Sequence, residues 1–405
     1  YFHMKFGYTF RALRYRNFRS FWLGQMISLI GAWMHRTAQA WLVFRLTNSP
    51  FYLGLVYSAG YFPILIISAI AGTVADRTNK RNLLIVTQVG SMIQAFILAT
   101  LTITGLVHVW HIVLLAGILG VINAFDAPTR HSIIRDLVRM EDLRNAIALN
   151  SSIFNAARML GPVIAGVLIP VMGEAGCFYL NGFSFLAIIV GLFLIKPIPS
   201  SPKETRSFLT DLKEGFTYIR RDITVFMLLT TVGVTSILVM PYMVLMPIFA
   251  GKILEKGPEA LGFLMAAVGV GAIFGLLRMA SGVSKSKIHD MIIRGVVLSV
   301  FLILFSLSSW FYLSLMFLFV VGWALVTKIV TINSLIQQTV PDRLRARVMS
   351  IYVLMLLGMI PVGSFFAGTA AQIIGAPWTV RISGLTLGTY MLLFAKVALP
   401  KQSSV

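Results

Sequence analysis

The chain is 405 residues long, 58% hydrophobic and only 12% charged, with a formal net charge of +20. The charged share is about half that of a soluble domain, which excludes an ordinary water-soluble fold, since no soluble core hides this much apolar surface. In a soluble protein so large a positive charge would point to nucleic acid, so the placement of the bases decides what it means here.

Tyr1 to His3 precede Met4 and are set aside. From there apolar runs recur along the whole length, each close to the roughly 20 residues that cross a bilayer. In chain order they cover 18–46, 51–75, 82–106, 110–132, 145–172, 176–195, 223–250, 259–281, 289–308, 310–338, 346–373 and 376–399. They predict an all-α integral membrane protein with twelve transmembrane helices. The first run is too long for a signal-peptide core and lacks a small-residue cleavage site before the next, so no cleavable signal is expected. Of the 34 Lys and Arg, 27 lie at the N-terminus, in even-numbered loops or at the C-terminus, and two, Lys252 and Lys256, lie in odd-numbered loops. By the positive-inside rule this split places both termini and the long middle loop in the cytoplasm. The bases therefore record topology and contact with membrane lipids, and no nucleic-acid partner is expected. Cys177 is the only cysteine, so no internal disulfide forms, and a buried structural thiol is the expected state.

The middle of the chain opens with prolines at 197, 199 and 202 and continues as Phe208, Leu212, Phe216 and Ile219 at helical spacing among charged residues. This predicts an amphipathic helix on the inner membrane surface. It divides the chain into an N-terminal six-helix bundle, 4–196, a cytoplasmic linker, 197–222, and a C-terminal six-helix bundle, 223–400. A weak internal repeat supports the division: Val138-Arg-Met-Glu-Asp-Leu-Arg144 parallels Val340-Pro-Asp-Arg-Leu-Arg345, and Gly166 and Gly173 parallel Gly368 and Gly375. Repeated six-span halves are a transporter feature.

The most informative segment joins the second and third runs: Gly72-Thr-Val-Ala-Asp-Arg-Thr-Asn-Lys-Arg81. A glycine, the acid Asp76, and the bases Arg77, Lys80 and Arg81 make a short charged hinge between two membrane helices. This segment resembles the signature of the major facilitator superfamily, with Asn79 where glycine is usual. The resemblance implies that the glycine packs closely on helix 11, that the acid faces the positive N-terminus of that helix, and that the contact latches the cytoplasmic side. A degenerate copy, Gly282-Val-Ser-Lys-Ser-Lys287, keeps the bases and loses the acid.

Further stretches are similar to the branch that holds the enterobactin exporter and macrolide efflux proteins. They are Ala38-Gln-Ala-Trp-Leu42, Leu46-Thr-Asn-Ser-Pro50, Phe125-Asp-Ala-Pro-Thr-Arg130, Asn145-Ala-Ile-Ala-Leu-Asn150, Asn333-Ser-Leu-Ile-Gln337 and Pro341-Asp-Arg-Leu-Arg-Ala-Arg-Val-Met-Ser350. That branch implies export of a siderophore or drug from the bacterial cytoplasm across the inner membrane, by proton antiport, in a monomer. Gly161-Pro162-Val-Ile-Ala165-Gly166 is a relaxed form of the antiporter glycine-proline motif; an ordinary proline kink is the other reading.

A charge at mid-bilayer costs about 2.5–3.5 kcal/mol on insertion scales, so each needs a reason. The set is Arg36, Asp126, Arg158, Lys328 and Arg381, with His35 beside the first and Arg45 near the outer edge. Arg381 lies near a helix end and can snorkel. The resemblance implies that helices 1, 4, 7 and 10 line a central cavity, which gives Arg36 and Lys328 a cargo-facing role. Three mid-depth bases with one acid make that cavity electropositive and point to an anionic, amphipathic small molecule. Internal pairing or a helix seam is the other reading for Arg36, Lys328 and Arg158, and for Arg158, also a gating candidate, it stands equal to the cargo role. Asp126 is the candidate proton carrier, and alternatively a gating partner of Arg130, Lys80 or Arg81. Gln25, Asn123 and Asn333 are candidate polar contacts with cargo, and Tyr57, Tyr61 and Tyr242 candidate cavity aromatics; helix packing is the other reading for each. Pro241 and Pro247 are expected to loosen helix 7.

No cofactor is expected. His131 and Asp136 have acyltransferase-like spacing without any further acyltransferase signature, and neither a phosphate-cradling loop nor a zinc-ligand cluster occurs in the sequence, so the protein is read as a non-enzyme. Two other functions remain open: a lipid or lysophospholipid flippase of the same fold, and a non-transporting membrane receptor.

Overall fold

The structure, a computed structural model, describes residues 10–195, 208–280 and 288–398, with the side chains at 68, 69, 73, 76, 208–213, 280 and 398 left aside. The degenerate copy at 282–287 and the proline-rich start of the linker lie outside the described residues.

Every long element is a helix. The α-helices are α1 Arg16–Thr47, α2 Pro50–Arg77, α3 Lys80–Ile103, α4 Val109–Leu137, α5 Leu143–Phe193, α6 Phe208–Arg221, α7 Ile223–Val234, the three-residue α8 Met246–Ile248, α9 Pro258–Ala280, α10 Ile288–Leu307, α11 Phe311–Thr339, α12 Asp342–Val353, α13 Met359–Ile374 and α14 Ala376–Ala398. Among the described residues, 10 helices are long and apolar enough to cross a membrane. α1 falls outside that set because Gln25, His35, Arg36 and Gln39 dilute its apolar face.

The chain forms two compact units. One takes residues 1–46 and 62–205, the other 47–61 and 206–405. The sequence puts the whole of α2 with the first half, whereas its first residues, with Thr47, Asn48 and Ser49, group with the second unit. There Gly54 meets Gly368, whose Cα lies 2.9 Å from where a Cβ would stand, and the Ser58 hydroxyl donates to the Pro361 carbonyl at 2.7 Å.

Local chemistry sets the helix ends. Asn79 Oδ1 caps α3 by accepting from the Asn82 N–H at 3.2 Å, and Asp222 Oδ1 caps α7 by accepting from Thr224 and Val225, both at 3.0 Å. Gly173, with φ 69°, turns the 51-residue α5 back on itself, and Gly375, with φ 85°, separates α13 from α14. Both adopt backbone that a Cβ opposes, and they occupy matching places in the sequence repeat.

In the second unit the helix between Ile223 and Ile253 is broken. A π turn at Thr235–Val239, a 3-10 stretch at Met240–Leu245 and a second π turn at Phe249–Ile253 interrupt it. Pro241 has no N–H to give the Ile237 carbonyl four residues back, and that carbonyl instead lies against Gly363. Where α9 crosses α11, Gly271 faces the Phe319 carbonyl and Gly322 the Val268 carbonyl, so two backbones touch where any side chain would collide.

The amphipathic helix α6 forms as the spacing predicts, but it packs on protein: Ile219 is 4% exposed within a cluster that includes Val348 and Ile351, Gly215 lies against Ile351, and Glu214 pairs with Arg347. Phe216 on the same helix remains exposed.

Candidate functional site

One face of the first unit is held by ion pairs at the helix ends. Lys80 Nζ reaches Asp136 Oδ2 at 2.5 Å, joining the start of α3 to the end of α4. Arg81 donates to the Leu192 and Phe193 carbonyls at 2.7 and 3.1 Å, at the end of α5 where carbonyls lack their full helical partners. Arg11 Nε meets Asp142 Oδ1 at 3.0 Å, and the Tyr15 hydroxyl donates to Asp142 Oδ2 at 2.8 Å. That hydrogen bond raises the Tyr15 phenol above its usual range. Arg77 is exposed, and a Cβ at Gly72 would meet no described heavy atom within 4 Å. The Asp76 side chain lies outside the described residues.

Deeper in the same unit, Asp126 is 3% exposed and both its carboxylate oxygens are engaged. Oδ1 accepts from Gln88 Nε2 at 2.7 Å and from the Thr87 hydroxyl at 3.0 Å, and Oδ2 pairs with Arg130 one helical turn away. Of the three bases proposed for Asp126, the structure brings up Arg130, while Lys80 and Arg81 are occupied elsewhere. Thr87 and Gln88 give no signal in the sequence until α4 is docked on α3.

Arg36 and Arg158 come together across one ring. The Arg36 guanidinium lies 5.1 Å and that of Arg158 5.9 Å from the Trp33 ring centroid, and Phe154 meets the same indole edge-on at 5.9 Å. Gly161 makes this possible: a Cβ there would stand 2.5 Å from Trp33 Cβ and 2.9 Å from the Met34 nitrogen, so α5 lies directly on α1, with Pro162 buried beside it. Both guanidinium groups are half-buried, a geometry in which cation–π attraction contributes on the order of 1 kcal/mol each. Trp33 is the residue that sequence reading missed here; its position three before Arg36 was the available signal. Gln25 is buried on α1 and Asn123 half-buried on α4, away from this cluster in sequence. Arg45 pairs bidentately with Glu174, at 2.7 and 3.2 Å, beside the Gly173 turn.

The remaining site residues belong to the second unit. Lys328 is completely buried, its Nζ donates to the Thr235 hydroxyl at 2.7 Å in the first π turn, and its stem passes Gly295 of α10. Among the described residues no carboxylate lies within ion-pair distance of it. Arg294, within the predicted run 289–308, is inside α10 and donates to the Thr327 carbonyl at 3.3 Å and to Thr331. Asn333 accepts from Gln337 at 2.6 Å. Tyr57 and Tyr61 stack at 5.0 Å between centroids, and Tyr242 is 3% exposed in the 3-10 stretch. Arg381 lies over Trp378 at 4.2 Å. His131 and Asp136 fall on one continuous helix five residues apart, about 140° around its axis, so they do not face one another.

Comparison with known proteins places this arrangement. Residues 8–405 match the family described as transmembrane secretion effector. The chain is 27% identical to the staphyloferrin A transporter of Staphylococcus aureus over 380 residues, covering 90% of this chain and 92% of that protein. It is 24% identical to the multidrug efflux pump Tap of Mycolicibacterium fortuitum over 372 residues, 88% and 89% of the two chains. Among solved structures, a bacterial homologue of the human lysosomal transporter Spinster, inward-facing and occupied, aligns with a TM-score of 0.76 over 95% of this chain and 97% of its own at 12% identity. The nucleoside transporter NupG aligns at 0.74 over 94% and 98% at 13% identity, and both likenesses speak for the fold alone. The chain belongs to the transmembrane secretion effector family and is a multi-pass membrane transporter of the major facilitator superfamily.

Proposed function

We propose that this protein exports a small, amphipathic, anionic molecule of the siderophore class from the bacterial cytoplasm across the inner membrane, in exchange for protons. It does so through twelve spans with both termini cytoplasmic. Ten apolar helices, the Gly173 turn that folds one of them in two, and the more polar α1 are compatible with twelve crossings. The one-sided distribution of Lys and Arg supports the orientation.

The observation that carries the cargo reading is the paired guanidinium groups of Arg36 and Arg158 on Trp33. Two half-buried cations held against one aromatic ring attract a carboxylate or catecholate and repel a cationic drug. The family relative that transports staphyloferrin A fits a cargo of that class. Lys328 is the second anchor: an ammonium matched by a hydroxyl retains a charge deficit that an anion meets better. Gln25, Asn123 and Asn333, with Tyr57, Tyr61 and Tyr242, supply polar and aromatic contacts to the remainder of the molecule.

Gating is assigned to the Gly72, Asp76, Arg77, Lys80 and Arg81 hinge together with Gly161 and Pro162. Asp126 couples this latch to proton movement by engaging and releasing Arg130. The test is flux in proteoliposomes of the full chain, offered staphyloferrin A, a macrolide and a lysophospholipid with and without an acidic lumen. Accumulation of the siderophore driven by the acidic lumen supports the proposal. Transport of the lysophospholipid alone favours a flippase, and binding without flux favours a receptor.

A further inference from the structure

The first unit contains buried polar atoms that none of the pairs above uses. His35 on α1 is 1% exposed, its Nε2 lies 3.2 Å from Gln39 Oε1, and its ring packs on Phe178 with centroids 4.7 Å apart. With Gln39 Oε1 accepting, Nε2 carries the ring hydrogen and Nδ1 presents a lone pair, which has no hydrogen-bond partner among the described residues. The same is true of Gln25 Nε2, Gln88 Oε1 and Gln94 Nε2, on side chains 2%, 3% and 3% exposed. An unmatched buried polar group costs about 1–3 kcal/mol, so four of them on two helices of one unit call for a reason.

Their depths are ordered. Measured from the face where Lys80 meets Asp136, Gln25, Gln88 and Asp126 lie nine, eight and eleven residues along α1, α3 and α4, about 12–16 Å in. Gln94 lies fourteen residues along α3, about 21 Å in, with Ser91 buried between it and Gln88. His35 lies nineteen residues along α1, about 28 Å in. Gln88 touches Asp126 directly. Buried polar atoms lacking a protein partner are where interior water is held, and a sequence of them graded in depth supports a water file.

We propose that His35 is a proton-binding residue of this transporter, reached from the level of Asp126 through a hydrated seam past Gln88, Gln25 and Gln94. The inference rests on the proton-antiport reading above. A proton arriving from the side where α1 ends adds to the Nδ1 lone pair to give an imidazolium, and the same proton leaves along the seam, so no charge is left on the protein after a cycle. The charged group acting on His35 is Arg36 on its own helix; α5 packs on the ring through Phe178, whose titratable neighbours along that helix are Cys177 and Glu174, the latter engaged by Arg45. At the other end Arg130 and His131 lie beside Asp126 on α4, and Lys80 and Arg81 on α3 are occupied.

The test uses the reconstituted full chain with staphyloferrin A as probe and reads the ratio of acid-lumen-driven to gradient-free uptake, together with substrate-triggered proton release from the lumen followed by a trapped pH dye. His35→Gln is expected to bring the ratio down to one and abolish the proton signal. A merely structural role lowers both rates and leaves the ratio where it was. Gln94→Met, which leaves His35 in place, is expected to lower the same ratio, and it carries the test should His35→Gln fail to elute as a monodisperse protein. A wild-type ratio above one that both variants retain overturns the proposal while leaving antiport standing. A wild-type ratio of one overturns antiport itself, and this proposal with it.

Discussion

Asp126 and Lys328 are both buried charged side chains, one in each unit, and they are accommodated differently. Asp126 has Arg130 on one oxygen and Thr87 and Gln88 on the other, so its charge is matched within its own unit. Lys328 has the Thr235 hydroxyl, and that hydroxyl sits in a π turn of a helix already interrupted by Pro241. Matched charge favours a clasp that holds one arrangement until something replaces the partner. Charge met by a dipole alone is left receptive to an anion from outside the chain. The pattern extends outward in the first unit, where Glu174 meets Arg45 and Asp142 meets Arg11.

The comparison breaks most sharply at Asp126. Asp126→Ala leaves Arg130 without its carboxylate and is expected to cost about 3 kcal/mol in thermal unfolding in detergent. The double change Asp126→Ala with Arg130→Met should recover much of it, and a fully additive pair would show that the clasp is not a unit. Next, Gly322→Ala drives a Cβ into the Val268 carbonyl and is expected to cost about 2 kcal/mol, so that helix contact rather than charge limits the second unit there.

Lys328→Met should move the other way. Replacing a fully buried ammonium by an apolar chain of similar length is expected to hold or raise the melting temperature while anion export falls about tenfold, roughly 1.4 kcal/mol of binding. A large loss of stability would instead make Lys328 a structural residue. Arg36→Gln and Arg158→Gln are each expected to raise the KM for an anionic cargo by a smaller factor, because each leaves the other guanidinium on Trp33. The smallest effect is spectroscopic. Tyr15 ionises above the ordinary value of 10.0, since its hydroxyl donates to Asp142. Its contribution to stability is present below that value and is lost as pH rises through the shifted one, and Asp142→Asn should bring the ultraviolet titration back down.

Much of the architecture was legible in the sequence because it is written in long periods. The apolar runs predict the helices to within a few residues. The repeat of Gly173 in Gly375 marks two turns with the same unusual backbone. What the sequence could not supply is which polar group meets which across the helices. Three bases stood open to Asp126; the one it meets, Arg130, is one turn along its own helix, and the partners that docking adds are Thr87 and Gln88 of α3. Arg294 lies inside the apolar run 289–308, but nothing in the sequence tells that its partners, the Thr327 carbonyl and Thr331, stand on α11. Trp33 read as one more apolar residue of span one until Gly161 brought α5 onto it. The linker helix has its docking surface on α12, a segment more than a hundred residues away that its own spacing does not reveal.

The central claim is that a transporter of this family with mid-membrane bases moves anions outward against protons. The most direct measurement is uptake of staphyloferrin A and of a cationic dye of similar size by proteoliposomes with an acidic lumen, for the wild-type chain and the Arg36→Gln, Lys328→Gln double variant. Gradient-driven uptake of the anion is expected, with little of the dye and with loss of anion uptake in a variant that still folds. Equal uptake of both compounds, or anion uptake unchanged in the double variant, would contradict it.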